Sequence, residues 1–325
     1  MTSMLKSILR VLCALAVTAA FATAAQAQNF PTKPVRLVVP FPAGGPTDLL
    51  ARTMGQKLTE FWNQTLVIEN KPGAASMIGV DAAAKAEPDG YTLSMAPSAM
   101  VVNPSLYRKV PYDTLKDLAG VTQLVSAPLF LLANPALKAN NVAEVIAFAK
   151  ANPGKMTYAS PGSGTTAHLA MELLKNKTGI DMVHVPYKGT QPAQIDLLSG
   201  RVQIMFDVLP THLALIKSGK LKALAVGDAK RVELLPDVPS VAETVPGFDV
   251  AAFFGVVAPA ATPRDLIHKL SADFVRALNT PEVKGKLAGL GMVAVGSTPE
   301  QFDAFIRSEI PKWAEVVKAA GIKAD

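Results

Sequence analysis

Two segments of the chain combine a glycine turn with threonines at the predicted start of a helix. The first, VVPFPAGGPTDLLAR, spans residues 38–52, and the second, YASPGSGTTAHLAMELL, spans residues 158–174. Each turn follows a short run that predicts a strand. A helix start presents unpaired N–H groups and partial positive charge, which favour an anion, and glycine lets the main chain approach a ligand closely. We therefore expect an anion-binding site at these turns.

The threonines of the two turns allow a second interpretation. Thr47, Thr165 and Thr166 are of a residue type that commonly caps helices, in which case they bind no ligand. For either turn alone, the two interpretations are equally good. Two matching turns in different parts of the chain favour donors that share one ligand of carboxylate size.

Motifs for other chemistry fail at these turns. GSGTTA, residues 162–167, fits a dinucleotide pattern, but Asp181 precedes the next predicted strand instead of ending it. Neither turn has the lysine of a P-loop, and Ser163 lacks the glycine two residues earlier that a nucleophile elbow requires. His168 and Glu172 share a helix face, yet the other histidines have no ligand-type spacing, so we expect no metal. An exported hydrolase that uses Ser163 and His168 remains the alternative function.

Two aspartates accompany the turns. Asp48 follows Thr47, and its negative charge would stabilise the start of the first helix by interacting with the helix dipole. Asp207 ends the predicted strand VQIMFD, at the edge where open α/β sheets bind ligands. There it either pairs with an ammonium or hydroxyl of the ligand, or serves as a turn residue, and both interpretations stay open.

The N-terminus has the features of a secretory signal. Lys6 and Arg10 precede an apolar run over residues 11–22, and Ala-Gln-Ala follows at residues 25–27. The run is shorter than the roughly 20 residues that span a bilayer, which disfavours a membrane anchor. We expect cleavage after Ala27. The formal charge then falls to +6 − 2 = +4, and no cysteine remains.

Composition excludes a nucleic-acid partner and indicates two domains. The sequence pI is about 9.3, but the basic residues are dispersed, without the concentrated stripe that nucleic-acid binding needs. Half of the residues are apolar and 18% are charged, as in a globular protein. The residues after the signal are more than one average domain requires.

Predicted strands and helices alternate, which is typical of β-α-β units on a parallel sheet. We predict two α/β lobes: residues 28–126 plus 250–325 form lobe 1, residues 127–249 form lobe 2, and residues 1–27 are the signal peptide. The chain would cross near 126–128 and again near 246–252, creating a hinge with a cleft between two sheets. One continuous doubly wound sheet is the alternative.

The chain also resembles a known family over essentially its whole mature length. It is similar to the Bug family, the extracytoplasmic solute receptors of tripartite tricarboxylate transporters. The resemblance rests on the following segments, in the family's order: PVRLVVPFPAGGPTDLLAR, VIENKPGAASMIGVDAAAKAEPDGYTL, YASPGSGTTAHLAMELL, HVPYKGTQPAQIDLLSGRVQIMFD, IKSGKLKALAV and LLPDVPSVAE.

The resemblance implies a two-lobed periplasmic-binding-protein-like (Venus flytrap) α/β fold that closes on a small carboxylate: a carboxylic acid, a dicarboxylate or an amino acid. It implies a monomeric periplasmic receptor that is not an enzyme, has no cofactor, is not membrane-embedded and delivers its ligand to integral-membrane permease components. Family members hold the carboxylate with main-chain amides and waters.

Mapped onto this chain, the implied ligand-binding residues come from two loops and their surroundings. Where family members often have Pro-Gly-Gly in the first loop, Ala43 precedes the glycines here, which changes the adjacent wall. Lys188 belongs to the implied rim. The predicted site consists of Phe41, Pro42, Ala43, Gly44, Gly45, Thr47, Asp48, Ser98, Ala159, Ser160, Gly162, Ser163, Gly164, Thr165, Thr166, His168, Tyr187 and Asp207.

Overall fold

The computed structural model describes residues 30–319 and 321–322. The predicted signal peptide lies outside the described residues. The strands are β1 (Val35–Val39), β2 (Leu66–Asn70), β3 (Thr92–Pro97), β4 (Leu118–Ala133), β5 (Thr157–Ser160), β6 (Val183–Pro186), β7 (Ile204–Val208), β8 (Lys222–Val226), β9 (Ala251–Pro259) and β10 (Val293–Ala294).

The α-helices alternate with these strands and then dominate the C-terminal part. They are α1 (Pro46–Trp62), α2 (Met77–Ala84), α3 (Ala99–Leu106), α4 (Val142–Ala151), α5 (Thr166–Thr178), α6 (Thr190–Ser199), α7 (Leu213–Lys217), α8 (Arg264–Leu278), α9 (Pro281–Gly289) and α10 (Pro299–Ala319). Short 3-10 turns occupy Leu209–Thr211 and Val241–Glu243.

Local sequence explains most of these elements. All of β1 except Arg36 is buried, as expected for a strand that is covered on both faces. Helix α1 begins with Pro46 at its first position and stops at Asn63, whose φ of 48° is left-handed. Helix α3 contains Pro104, although proline usually ends a helix.

The sheet is mixed, which corrects the prediction of parallel sheets. Hydrogen-bonded strands follow the order β2-β1-β3-β9-β4-β7-β5-β6, and β8 and β10 also pair with β4. The β-α-β units β1–β2, β1–β3 and β5–β6 are parallel, as predicted. Strand β9 is antiparallel to both β3 and β4. Strand β4 runs from the half of the sheet that contains β3 to the half that contains β7, and β9 returns in the opposite direction.

Strand β4 connects the two halves of the molecule. Its residues Leu118–Pro128 pair with β9, and Leu129–Ala133 pair with β7. The sequence predicted two separate sheets, whereas β4 provides one hydrogen-bonded path between the two halves. The lobe boundaries at residues 126–127 and 249–250 stay a prediction.

The C-terminal helix α10 packs on β4 and β9. Phe302 meets Phe253 edge to face at 6.1 Å between ring centroids. Asp303 accepts a hydrogen bond from the Gly120 N–H at 2.7 Å. A Cβ at Gly255 would collide with the Phe302 ring, so the glycine allows this close approach. Within the described part of the chain, no helix is both long and apolar enough to cross a membrane.

Candidate functional site

Four helix starts line one cleft. Helices α1, α3, α5 and α6 each follow the carboxyl end of a strand, which is where open α/β sheets bind ligands. The cleft contains about 690 Å³ of space that is continuous with solvent. Its wall combines the turns before these helices with residues at the ends of β7 and β9 and in the middle of β4.

The first loop is built around Gly44 and Asp48. Gly44 has a φ of 79°, and its N–H donates to the Asp48 carboxylate at 2.8 Å. Asp48 also accepts hydrogen bonds from Arg52 at 2.8 Å and from Asn70 at 3.0 Å. Burial alone raises the pKa of the Asp48 carboxyl, but these three hydrogen bonds outweigh it and lower the pKa below its usual value. Asp48 therefore holds the loop and does not line the cleft.

The start of α1 leaves donors for a ligand. Gly45 is its N-cap residue and supplies no side-chain cap, and Pro46 has no N–H. The first main-chain hydrogen bond back to the turn is from the Leu49 N–H to the Gly45 carbonyl at 3.0 Å. The Thr47 hydroxyl and N–H thus have no partner among the described residues, and Thr47 lines the cleft.

The second loop places two adjacent threonines in different roles. The Thr165 hydroxyl donates to the Gly162 carbonyl at 2.8 Å and accepts from the His168 N–H at 3.4 Å, so it caps α5. Thr166 lines the cleft as well, and its hydroxyl bonds to no described residue. Gly162 and Gly164 have φ values of 153° and 78°, which glycine tolerates better than other residues.

Two stacked histidines support the second loop from behind. The rings of His168 and His184 lie 4.0 Å apart at 14°. His168 Nδ1 accepts a hydrogen bond from the Gly164 N–H at 3.2 Å. His184 Nε2 lies 2.7 Å from the Ser160 hydroxyl, which accepts from the Gly162 N–H at 3.3 Å. Burial lowers the pKa of His168 to about 4 and that of His184 to about 3, so both rings are neutral at pH 7.

A third helix start on the cleft is not among the predicted site residues. Gly189, with a φ of 113°, is the N-cap residue of α6, and Thr190 and Gln191 follow it on the cleft wall. The Thr190 hydroxyl has no partner among the described residues. The sequence signal was present, since KGT after the strand β6 repeats the strand–glycine–threonine pattern of the other two turns.

Ser98 and Tyr187 use their hydroxyls elsewhere. Ser98 lies on the cleft at the start of α3, but its hydroxyl donates to the Phe253 carbonyl at 3.2 Å and accepts from the Phe253 N–H at 2.7 Å. It thereby ties α3 to β9. The Tyr187 hydroxyl donates to Asp196 at 2.6 Å on α6, so Tyr187 does not line the cleft.

The structure therefore divides the predicted site residues into two groups. Those on the cleft wall are Phe41, Pro42, Ala43, Gly45, Thr47, Ser98, Thr165, Thr166 and Asp207, together with Lys188. Those behind or beside the wall are Gly44, Asp48, Ala159, Ser160, Gly162, Ser163, Gly164, His168 and Tyr187. Wall residues that sequence reasoning missed are Pro46, Pro97, Ala99, Leu129, Pro161, Ala167, Gly189, Thr190, Gln191, Pro192, Val208, Ala252 and Phe254.

The two sides of the cleft touch each other around the wall. A Cβ at Gly44 would collide with the Gln191 amide, and one at Gly189 would lie 3.1 Å from Pro42. A third contact joins the end of α3 to the second loop, where the Tyr107 hydroxyl donates to the Ser163 carbonyl at 3.2 Å. These contacts join the first loop to the start of α6, and the end of α3 to the second loop.

The geometry offers no hydrolytic pair. Ser163 is exposed, whereas His168 is buried and its Nδ1 already accepts the Gly164 N–H. No hydrogen bond joins the Ser163 hydroxyl to His168 in the described part of the chain. Among the described residues, no group of three or more histidine, cysteine, aspartate or glutamate side chains could hold a metal ion.

Comparison with known proteins establishes the family. The sequence model described as "Tripartite tricarboxylate transporter family receptor" matches residues 50–322. The chain belongs to this family. The members are solute-binding receptors and not enzymes.

The resemblance of the receptor to the Bug proteins is confirmed by its relatives. Protein BugT of Bordetella pertussis is 38% identical over 309 residues, covering 94% of this chain and 95% of BugT. A solved R. palustris protein with adipate is 35% identical, with a TM-score of 0.88 over 90% of this chain and 99% of that one. MatC from Rhodopseudomonas palustris with bound malate is 31% identical, with a TM-score of 0.84 over 89% and 100%. These likenesses confirm the two-lobed periplasmic-binding-protein fold.

Proposed function

We propose that this receptor captures a small carboxylate in the cleft and delivers it to the integral-membrane permease of a tripartite tricarboxylate transporter. The observation that carries the proposal is the convergence of helix starts whose hydroxyl and N–H donors have no partner among the described residues. Thr47, Thr166 and Thr190 supply such hydroxyls from α1, α5 and α6. Carboxylic acids, dicarboxylates and amino acids all present the carboxylate that these donors recognise.

At the starts of α1 and α5, the charge of the ligand would interact with helix dipoles and hydroxyls and not with a cation. The segments 40–48 and 158–168 contain no lysine or arginine. Hydrogen bonds to an ionised acceptor contribute roughly 1.5–3 kcal/mol each, and three helix starts supply several. The adipate and malate bound by the two R. palustris relatives support a carboxylate ligand.

Several further properties belong to the same proposal. The receptor acts in the periplasm as a monomer without a cofactor, after removal of residues 1–27. Ligand binds between lobe 1 (residues 28–126 plus 250–325) and lobe 2 (residues 127–249). The exported protein should therefore begin at Gln28, which N-terminal sequencing checks, and it should elute as a monomer in size-exclusion chromatography with light scattering.

Isothermal titration calorimetry of the purified receptor tests ligand capture. The panel contains mono-, di- and tricarboxylates and amino acids, including adipate and malate, at pH 7. Adipamide serves as a control, because it has the length of adipate without an ionised carboxylate. We expect at least one acid to bind and adipamide to give no heat. If no acid of the panel binds, the proposed function is wrong.

Uptake by cells tests delivery. Deleting the receptor gene should abolish uptake of the labelled acid that binds in vitro, and the wild-type gene should restore it. Unchanged uptake in the deletion strain would contradict delivery while leaving ligand capture intact.

A further inference from the structure

The wall of the cleft is mostly apolar away from the helix starts. Its apolar members include Phe41, Pro97, Leu129, Ala252 and Phe254. Only two ionisable side chains are found on the wall in the described part of the chain, the carboxylate of Asp207 and the ammonium of Lys188. Away from the helix starts, a charged end of the ligand would therefore meet one of these two groups.

Lys188 and Asp207 differ strongly in exposure. Lys188 is exposed, so water screens its charge, and ion pairs of exposed lysines contribute little. Asp207 is only 4% exposed. A buried carboxylate that loses its remaining water needs hydrogen-bond donors, because an unpaired buried charge is costly. The distal group of the ligand therefore has to donate hydrogen bonds to Asp207.

The protein satisfies Asp207 only in part. One oxygen accepts from the Val208 N–H at 2.9 Å, and the other lies 3.1 Å from His212 Nε2. The Gln194 amide nitrogen donates to the Thr211 carbonyl at 2.7 Å and lies 2.9 Å from His212 Nδ1. This arrangement leaves His212 Nδ1 as an acceptor and Nε2–H as the donor to Asp207.

A carboxylate offers about four acceptor positions, so two donors leave some of these positions without a hydrogen bond. No lysine or arginine forms an ion pair with Asp207 in the described residues. When the cleft closes on a ligand, water leaves, and Asp207 keeps two hydrogen bonds. A ligand hydroxyl or ammonium would replace the lost water, whereas a second ionised carboxylate would meet a like charge in a poorly hydrated place.

We propose that the receptor prefers carboxylates whose distal polar group is a hydrogen-bond donor, a hydroxyl or an ammonium that meets Asp207, over those with a second ionised carboxylate there. This inference rests on the proposed function, since it assumes that the helix starts hold the first carboxylate. It makes Asp207 the residue that determines specificity.

A series of acids that differ at one end tests the inference. The six-carbon set is hexanoate, 6-hydroxyhexanoate, 6-aminohexanoate and adipate, and the four-carbon set is butyrate, 4-hydroxybutyrate, 4-aminobutyrate and succinate. Calorimetry at pH 7 gives the dissociation constant of each. In at least one set, we expect the hydroxyl or ammonium acid to bind about tenfold more tightly than the methyl-ended acid, and the diacid to bind more weakly than it.

Two variants assign the preference to one side chain. Asp207→Asn keeps the size of the side chain and an acceptor for His212, and it should reduce the advantage of the ammonium acid to below about twofold while strengthening diacid binding. Lys188→Gln removes the other charge of the wall. Because water screens that exposed ammonium, the variant should change the affinities for all the acids by a similar factor and so keep their ranking. If Asp207→Asn fails to fold, the ranking by the wild-type receptor still decides.

The outcomes separate this inference from the proposed function. Should the diacids bind most tightly in both sets and lose affinity in Lys188→Gln, Lys188 selects the ligand and the inference is wrong, although the receptor still binds carboxylates. Equal dissociation constants for the four acids of each set would also overturn the inference. Binding by no acid of either set or of the wider panel would overturn the proposed function together with this inference.

Discussion

Replacing Thr166 with valine removes one hydroxyl from the cleft wall and keeps the shape of the side chain. The hydroxyl bonds to no described residue, so its removal breaks no hydrogen bond within the protein. A hydrogen bond to an ionised ligand contributes roughly 1.5–3 kcal/mol, which corresponds to a loss of about tenfold to 150-fold in affinity. The free energy of unfolding without ligand should change by less than about 0.5 kcal/mol.

Thr165→Val is the matched control, one residue earlier. The Thr165 hydroxyl donates to the Gly162 carbonyl and accepts from the His168 N–H, so valine removes a helix cap. Loss of a cap typically costs about 1 kcal/mol of stability, within a range of about 0.5–2. For a protein of this size, a loss of about 1 kcal/mol lowers Tm by about 1–2 °C.

Two measurements separate the variants. Thermal unfolding without ligand should show a lower Tm for Thr165→Val and an unchanged Tm for Thr166→Val. Calorimetry with an acid that binds the wild type should show the large affinity loss for Thr166→Val. Wild-type affinity in Thr166→Val, or a fall in its ligand-free Tm equal to that of Thr165→Val, would refute the assignment of this hydroxyl to the ligand.

Two other predictions concern closure and pH. Tyr107→Phe removes the hydrogen bond to Ser163 across the cleft and should weaken ligand binding about twofold to tenfold. Tyr91→Phe is the control, because it removes only hydrogen bonds to Thr32 and should leave the affinity unchanged. Equal calorimetric affinities for the two variants would contradict this prediction. Urea unfolding should show stability falling between about pH 6.5 and pH 4, by about 1.4 kcal/mol per pH unit for His168, because its folded-state pKa of about 4 leaves the unfolded chain with more bound protons. His168→Gln should show a smaller slope, and an identical slope would refute the contribution of this imidazole.

The local patterns of the sequence predicted two of the helix starts that line the cleft. Strand, glycine and threonine in succession predicted the starts of α1 and α5, and both line the cleft. This worked because the donors of a helix start depend on a few neighbouring residues. The start of α6 has the same pattern at Gly189 and Thr190, although neither residue is among the predicted site residues.

The sequence could not show which way the side chains near these turns point. Asp48, His168 and Tyr187 belong to the recognised segments, yet each is bound to protein groups behind the wall. Their orientation depends on partners that the segment itself does not contain. Asn70 reaches Asp48 from β2, and His184 stacks on His168 from β6.

The sequence by itself determined the alternation of strands and helices, the helix starts with open donors and the family. Only the tertiary structure decided which donors share one cleft and what else lines it. Gly44 meets Gln191, and Tyr107 meets Ser163, although these pairs are far apart along the chain. Hydrogen bonding at a helix start is local and is therefore visible in a short sequence pattern. A cleft wall forms where β4 and β9 bring distant segments together, so its composition follows from the packing of the whole sheet.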